Sequence, residues 1–111
     1  MMDRAQTAIA DQYVVALERR KDGGEKSYTS YLYNQGLDKI LKKCGEECAE
    51  VLIAAKNGKM EETVPEICDL LYHLMVMMAD QNIPLEAVME ELENRRKKIG
   101  NLKQFHRVDH N

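Results

Sequence analysis

The chain has 111 residues, 16 basic and 19 acidic side chains and a formal charge of −3. Its length bounds it to one modest domain spanning 1–111, and its mildly acidic balance lacks the basic footprint of a nucleic-acid binder. Hydrophobic residues make up 44%, with no Trp, five Tyr and one Phe, so the core is expected to come from Leu, Ile, Val, Met and Ala, a palette that favours helices over sandwiches. No apolar run approaches the roughly 18 residues of a membrane span, and Met1-Met2-Asp3-Arg4 has no apolar signal core behind it. A cytoplasmic location without membrane contact is the expectation.

Residues 5–21 carry Ile9, Tyr13, Ala16 and Leu17 at helical spacing, then Arg19, Arg20 and Lys21, then Gly23-Gly24. This reads as a helix followed by a break, and basic residues in a last turn suit the helix dipole without any ligand. Ser27-Tyr28-Thr29-Ser30-Tyr31-Leu32-Tyr33 reads as a short helix capped by Ser27, although so many tyrosines fit a strand almost as well. Over residues 37–56, Leu37, Ile40, Leu41, Cys44, Cys48, Val51, Leu52 and Ala55 follow the three-and-four spacing of an amphipathic helix that stops at Asn57-Gly58. Gly45 inside it costs about 1 kcal/mol relative to Ala, so close approach of another helix backbone is expected there.

Residues 61–80 are apolar nearly all round after Glu66, which predicts a central helix. Pro65 interrupts it, so that the helix either begins near the proline or kinks there. Pro84 reads as a first-turn proline opening a helix with Leu85, Val88, Met89 and Leu92 on one face, ending near Gly100. The polar tail 101–111 is expected to be partly disordered, and its His106 and His110 lack the thiols or carboxylates of a metal site. Cys44, Cys48 and Cys68 form no CxxC pair and are odd in number. They read as reduced core thiols, the first two sharing a face with Val51, Leu52 and Ala55.

Acids carry the chemistry. Glu47 and Glu50 share one helical face at i, i+3 spacing, as do Glu66 and Asp69, and Asp69 leads into a segment too apolar for a solvated acidic stripe. Carboxylates drawn toward a core need a cation or a hydrogen-bond partner to offset desolvation. If the two helices pack antiparallel, four carboxylates converge on one or two hard divalent cations such as Mg²⁺, the metal of phosphate chemistry. The plainer reading makes Glu46, Glu47 and Glu50 solvated acids paired with Lys42 and Lys43. Lys39, Lys42 and Lys43 lie one to two turns before the acids and are candidates for substrate phosphate oxygens, or simply solubilise the helix. His73, four residues after Asp69, is expected either to orient a carboxylate or to be a satisfied core histidine. No nucleophile elbow, P-loop or dinucleotide fingerprint is present, which leaves metal-activated water as nucleophile.

The blocks Ser27-Tyr28-Thr29, Lys39-Ile40-Leu41-Lys42-Lys43-Cys44-Gly45-Glu46-Glu47, Glu50, Ala54-Ala55-Lys56 and Glu66-Ile67-Cys68-Asp69-Leu70-Leu71-Tyr72-His73 together resemble the phosphoribosyl-ATP pyrophosphatases of histidine biosynthesis. These belong to the MazG-like all-α nucleotide pyrophosphohydrolases, and the similarity covers about residues 27–95. The resemblance implies an all-α helical bundle completed by dimerisation. It also implies Mg²⁺ held by Glu47, Glu50, Glu66 and Asp69, with Glu46 as a further ligand or water-positioning base beside Glu47. The implied reaction splits phosphoribosyl-ATP between its α and β phosphates, giving phosphoribosyl-AMP and pyrophosphate. Two departures stand out: Cys44 where valine is usual, and Pro65 ahead of the acid motif. Competing readings are a superfamily enzyme for dUTP, dCTP or a damaged nucleotide, a di-iron bundle, whose Glu-x-x-His repeat is missing, and a non-enzymatic helical dimerisation module.

Overall fold

The computed structural model describes residues 4–22 and 27–99. Among them are five α-helices and no strand: α1 (Arg4–Asp22), α2 (Tyr28–Gln35), α3 (Leu37–Asn57), α4 (Met60–Asp80) and α5 (Leu85–Ile99). The break at Gly23-Gly24, the helix end at Gly100, the tail 101–111 and its His106 and His110 lie outside the described residues.

The tyrosine-rich segment resolves to helix because its cap decides it. Ser27 has extended backbone and its Oγ accepts the Ser30 N–H at 3.2 Å, satisfying one of the donors a helix start leaves open. Gly36, at φ 95°, turns the chain directly from α2 into α3. Its N–H donates to the Leu32 and Tyr33 carbonyls and its own carbonyl accepts the Ile40 N–H, a backbone conformation that L side chains rarely adopt. Gly58 ends α3 in the left-handed region, as expected from Asn57-Gly58.

α4 begins upstream of Pro65 and runs through it. The Lys59 carbonyl gathers the Glu62 and Thr63 N–H groups and the Thr63 hydroxyl at 3.1, 3.0 and 2.9 Å, so the first turn stands without a donor from residue 65. The Glu61 carbonyl that loses its partner belongs to an exposed residue, open to solvent. At the other end, the Ile83 N–H reaches the Met78 carbonyl at 2.8 Å and the Asn82 N–H the Ala79 carbonyl at 3.2 Å, with Asn82 at φ 60°. This is a Schellman cap with asparagine in the left-handed position.

α3 and α4 form an antiparallel hairpin, and α1 and α2 pack on one side of it. The core lies between them: Tyr13 and Ala16 of α1, Leu32 of α2, Ile40 of α3, and Met75, Val76, Met78 and Ala79 of α4. α4 is therefore central over its C-terminal half only, because Val64, Ile67 and Leu71 are exposed. The cysteines are free, as read, but not all core: Cys44 is half-buried while Cys48 and Cys68 are exposed. Leu52 and Ala55 share that exposure, and a Cβ on Gly45 would meet nothing within 4 Å. The reason is common to all three corrections: none of the described helices covers this part of the hairpin. α5 leans on the core through Leu85 and Val88, while Leu92 is exposed. No helix among the described residues is long and apolar enough to cross a membrane.

Candidate metal centre

Cys44 Sγ meets the His73 carbonyl at 3.4 Å, and this antiparallel register brings Glu47 and Glu50 of α3 level with Glu66 and Asp69 of α4. Carboxylate oxygens of Glu47, Glu66 and Asp69 lie within 4.8 Å of one another, Glu47 and Glu66 half-buried and Asp69 exposed. The Glu66 carboxyl is held above the usual carboxylate range, first by loss of solvent and then by the negative charges of Glu50, Asp69 and Glu47. Glu50 thus acts on Glu66 from just outside the tight trio. None of these four acids takes part in an ion pair among the described residues.

Like charges gathered without an ion-pair partner among the described residues raise the free energy of the ionised cluster, and a hard cation that prefers oxygen ligands relieves it. The donor set is all oxygen and fits Mg²⁺ rather than a thiophilic metal.

The remaining expected residues are placed around this trio. Glu46 is exposed and pairs with Lys43 at 3.3 Å, so it stands at the rim, and that bond keeps the Lys43 ammonium charged to higher pH than usual. Lys39 Nζ lies 5.9 Å from the centre of the Tyr31 ring. Lys42 is exposed, one residue round the helix. His73 is buried, with Nδ1 2.7 Å from the Asp69 carbonyl and Nε2 2.9 Å from the Tyr28 hydroxyl. A carbonyl only accepts, so Nδ1 carries the proton, and in the neutral ring Nε2 accepts from Tyr28. His73 thus bonds the main chain of Asp69 and the Tyr28 hydroxyl rather than a carboxylate.

Tyr28 is the neighbour that sequence reasoning did not single out as a site residue. Its ring meets His73 edge-on, with centroids 5.6 Å apart and planes at 72°. Burial raises its phenol above the ordinary value, Lys43 opposes that rise, and Glu47 and Glu46 add to it, which places the hydroxyl in the field of the acidic cluster. Thr29 and Tyr72 share a hydroxyl–hydroxyl bond of 2.7 Å beside it. The available signal was the Ser27-Tyr28-Thr29 block, read there only as a cap and a resemblance.

Residues 12–96 match the family described as phosphoribosyl-ATP pyrophosphohydrolase. The chain is 54% identical over 96 residues to the phosphoribosyl-ATP pyrophosphatase of Clostridium botulinum (strain Kyoto / Type A2), covering 86% of this chain and 87% of that one. It is 48% identical over 95 residues to the phosphoribosyl-ATP pyrophosphatase of Clostridium novyi, covering 86% of each. Against the Bacillus mycoides protein of the same description, identity is 49% over 92 residues, covering 83% of this chain and 86% of that one.

Proposed function

The chain belongs to the phosphoribosyl-ATP pyrophosphohydrolase family, and from that premise we propose that it hydrolyses 1-(5-phosphoribosyl)-ATP to 1-(5-phosphoribosyl)-AMP and pyrophosphate, the second step of histidine biosynthesis, with Mg²⁺ as cofactor. It is a hydrolase acting on a phosphoric anhydride. The observation that carries the metal dependence is the convergence of Glu47, Glu66 and Asp69, none of them ion-paired among the described residues.

Glu47, Glu50, Glu66 and Asp69 would hold the cation. When bound, Mg²⁺ supplies Lewis acidity and charge neutralisation at a phosphoryl group. Everything else falls to the chain's own residues. Water is divided across the α–β anhydride, its hydroxyl going to phosphorus and its proton to a carboxylate, while the bridging P–O bond breaks. Glu46 and Glu47 are the carboxylates that orient that water and take its proton, Glu46 once substrate draws Lys43 away from it. Lys43, with Lys42 beside it, then meets phosphate oxygens and stabilises departing pyrophosphate. His73 holds the α4 turn carrying Asp69. The reading includes a cytoplasmic homodimer or higher homo-oligomer whose pairing completes the helical bundle.

Purified protein with Mg²⁺ and phosphoribosyl-ATP should release pyrophosphate, and an inert wild type refutes the proposal. Glu50→Gln and Asp69→Asn should each lower kcat at least about 100-fold, the upper end of the loss caused by removing an outer partner of a metal ligand, with the far-UV helical signal unchanged. A panel including dUTP and dCTP separates this reading from the other superfamily activities: faster turnover of either would reassign the substrate.

A further inference from the structure

Tyr28 and Tyr31 stand one turn apart on α2, 47% and 44% exposed, with ring planes at 28° and centroids 6.3 Å apart. The Tyr28 ring is held in place, because its hydroxyl is tied to His73 Nε2 at 2.9 Å and His73 Nδ1 to the Asp69 carbonyl at 2.7 Å. Beyond Tyr31, Lys39 Nζ lies 5.9 Å from the ring centre. An unbroken line of contacts therefore leads from the acidic trio through His73, Tyr28 and Tyr31 to a cation one turn of α3 away from Lys43.

Resting on the function proposed above, we propose that Tyr28 and Tyr31 are the stacking platform for the substrate purine, and that Lys39 receives the 5-phosphate of the ribosyl group on its N1, so that this edge separates phosphoribosyl-ATP from ATP. The order of chemistry matches. The substrate carries a triphosphate on one side of its base and a ribose phosphate on the other; the site offers acids for a cation, then two aromatic faces, then an ammonium. Aromatic faces take any base by stacking, and an N1-substituted adenine, a stronger base than adenine itself, is drawn to them further when protonated. Neither tyrosine discriminates phosphoribosyl-ATP from ATP. Lys39 does, because only the former has a phosphate at that end.

Three ligands divide these contributions: phosphoribosyl-ATP as substrate, and ATP and inorganic tripolyphosphate as competitive inhibitors. Tyr31→Leu should raise KM for phosphoribosyl-ATP and Ki for ATP at least about fivefold, the low end of stacking on an aromatic ring, and leave Ki for tripolyphosphate within about twofold. Tyr31→Phe should recover the lost affinity, since the ring binds and the hydroxyl does not. Lys39→Gln should raise KM for phosphoribosyl-ATP at least about fivefold without moving Ki for ATP. An active wild type whose Tyr31→Leu variant keeps its KM, or weakens tripolyphosphate as much as ATP, overturns the platform. Equal losses for both nucleotides in Lys39→Gln overturn the phosphate assignment. A wild type inert toward phosphoribosyl-ATP removes the proposed function itself, and this inference with it.

Discussion

Glu66 concentrates the electrostatic problem of the folded chain. Its carboxyl is raised by desolvation and by three like charges, so the ionised form is less favourable in the folded state than in the unfolded one. By linkage, that penalty is present above the raised value and disappears as pH falls through it, because a protonated group no longer repels its neighbours. Glu66→Gln should therefore raise the Tm of metal-free protein at pH 7 to 8, and the gain should shrink toward zero as the buffer is taken down through the acid range. Millimolar Mg²⁺ should raise the Tm of wild type as RT ln(1 + [L]/Kd), and the same variant should lose that increase. Thermal melts across pH, with and without the ion, check both signs. The acids themselves were legible from their i, i+3 spacing. Tyr28 and its bond to His73 were not, because the two residues stand 45 apart along the chain on different helices, and no local pattern encodes that meeting.

The elements are set by their ends. Ser27 makes α2 a helix where residue propensities alone were balanced against strand, and Ser27→Ala should cost about 1 kcal/mol in urea unfolding. α1 is held to the far end of α4 by polar groups: the Tyr13 hydroxyl donates to the Ile83 carbonyl at 2.7 Å, and Arg20 donates to the Ala79 carbonyl and to Asn82 Oδ1, the latter at 2.8 Å. A cation at the C-terminus of α4 also faces the negative end of its dipole. Tyr13→Phe keeps the buried ring and removes one hydrogen bond, so a loss of about 1 kcal/mol is expected. Pro65 was the ambiguous element boundary. Its cost depends on whether the orphaned Glu61 carbonyl meets water, a property of exposure rather than of the residue type.

At the scale of the molecule, part of the α3–α4 hairpin is left uncovered by the described helices. Met60, Val64, Ile67 and Leu71 of α4 and Leu41, Leu52 and Ile53 of α3 are 41% to 75% exposed. Most of these residues fall on two stripes, 60, 64, 67 and 71 on α4 and 41, 45, 48 and 52 on α3, and the α4 stripe becomes buried only further along, at Met75 and Met78. Apolar area of this kind marks an interaction surface, and Gly45 on the α3 stripe leaves room for a helix of a second copy. Sedimentation should find a dimer or larger assembly at micromolar concentration. Leu52→Glu combined with Ile67→Glu should shift it to monomer while the helical signal persists. A wild type that sediments as a fully active monomer would remove the homo-oligomer from the proposal.

Helical class, the positions of four of the helices and the candidate ligands follow from periodicity, caps and charge spacing, because these act over a few residues and 3.6 residues per turn is local geometry. Which apolar stripe is covered does not follow. Cys48, Leu52 and Gly45 carry the same pattern as core residues, and the chain alone cannot distinguish a face buried by its own helices from one left uncovered. The register that sets Glu47 beside Glu66 and Asp69, and the fold-back that lays Tyr28 on His73, depend on contacts between segments far apart along the chain, so they come into being only when the whole bundle closes.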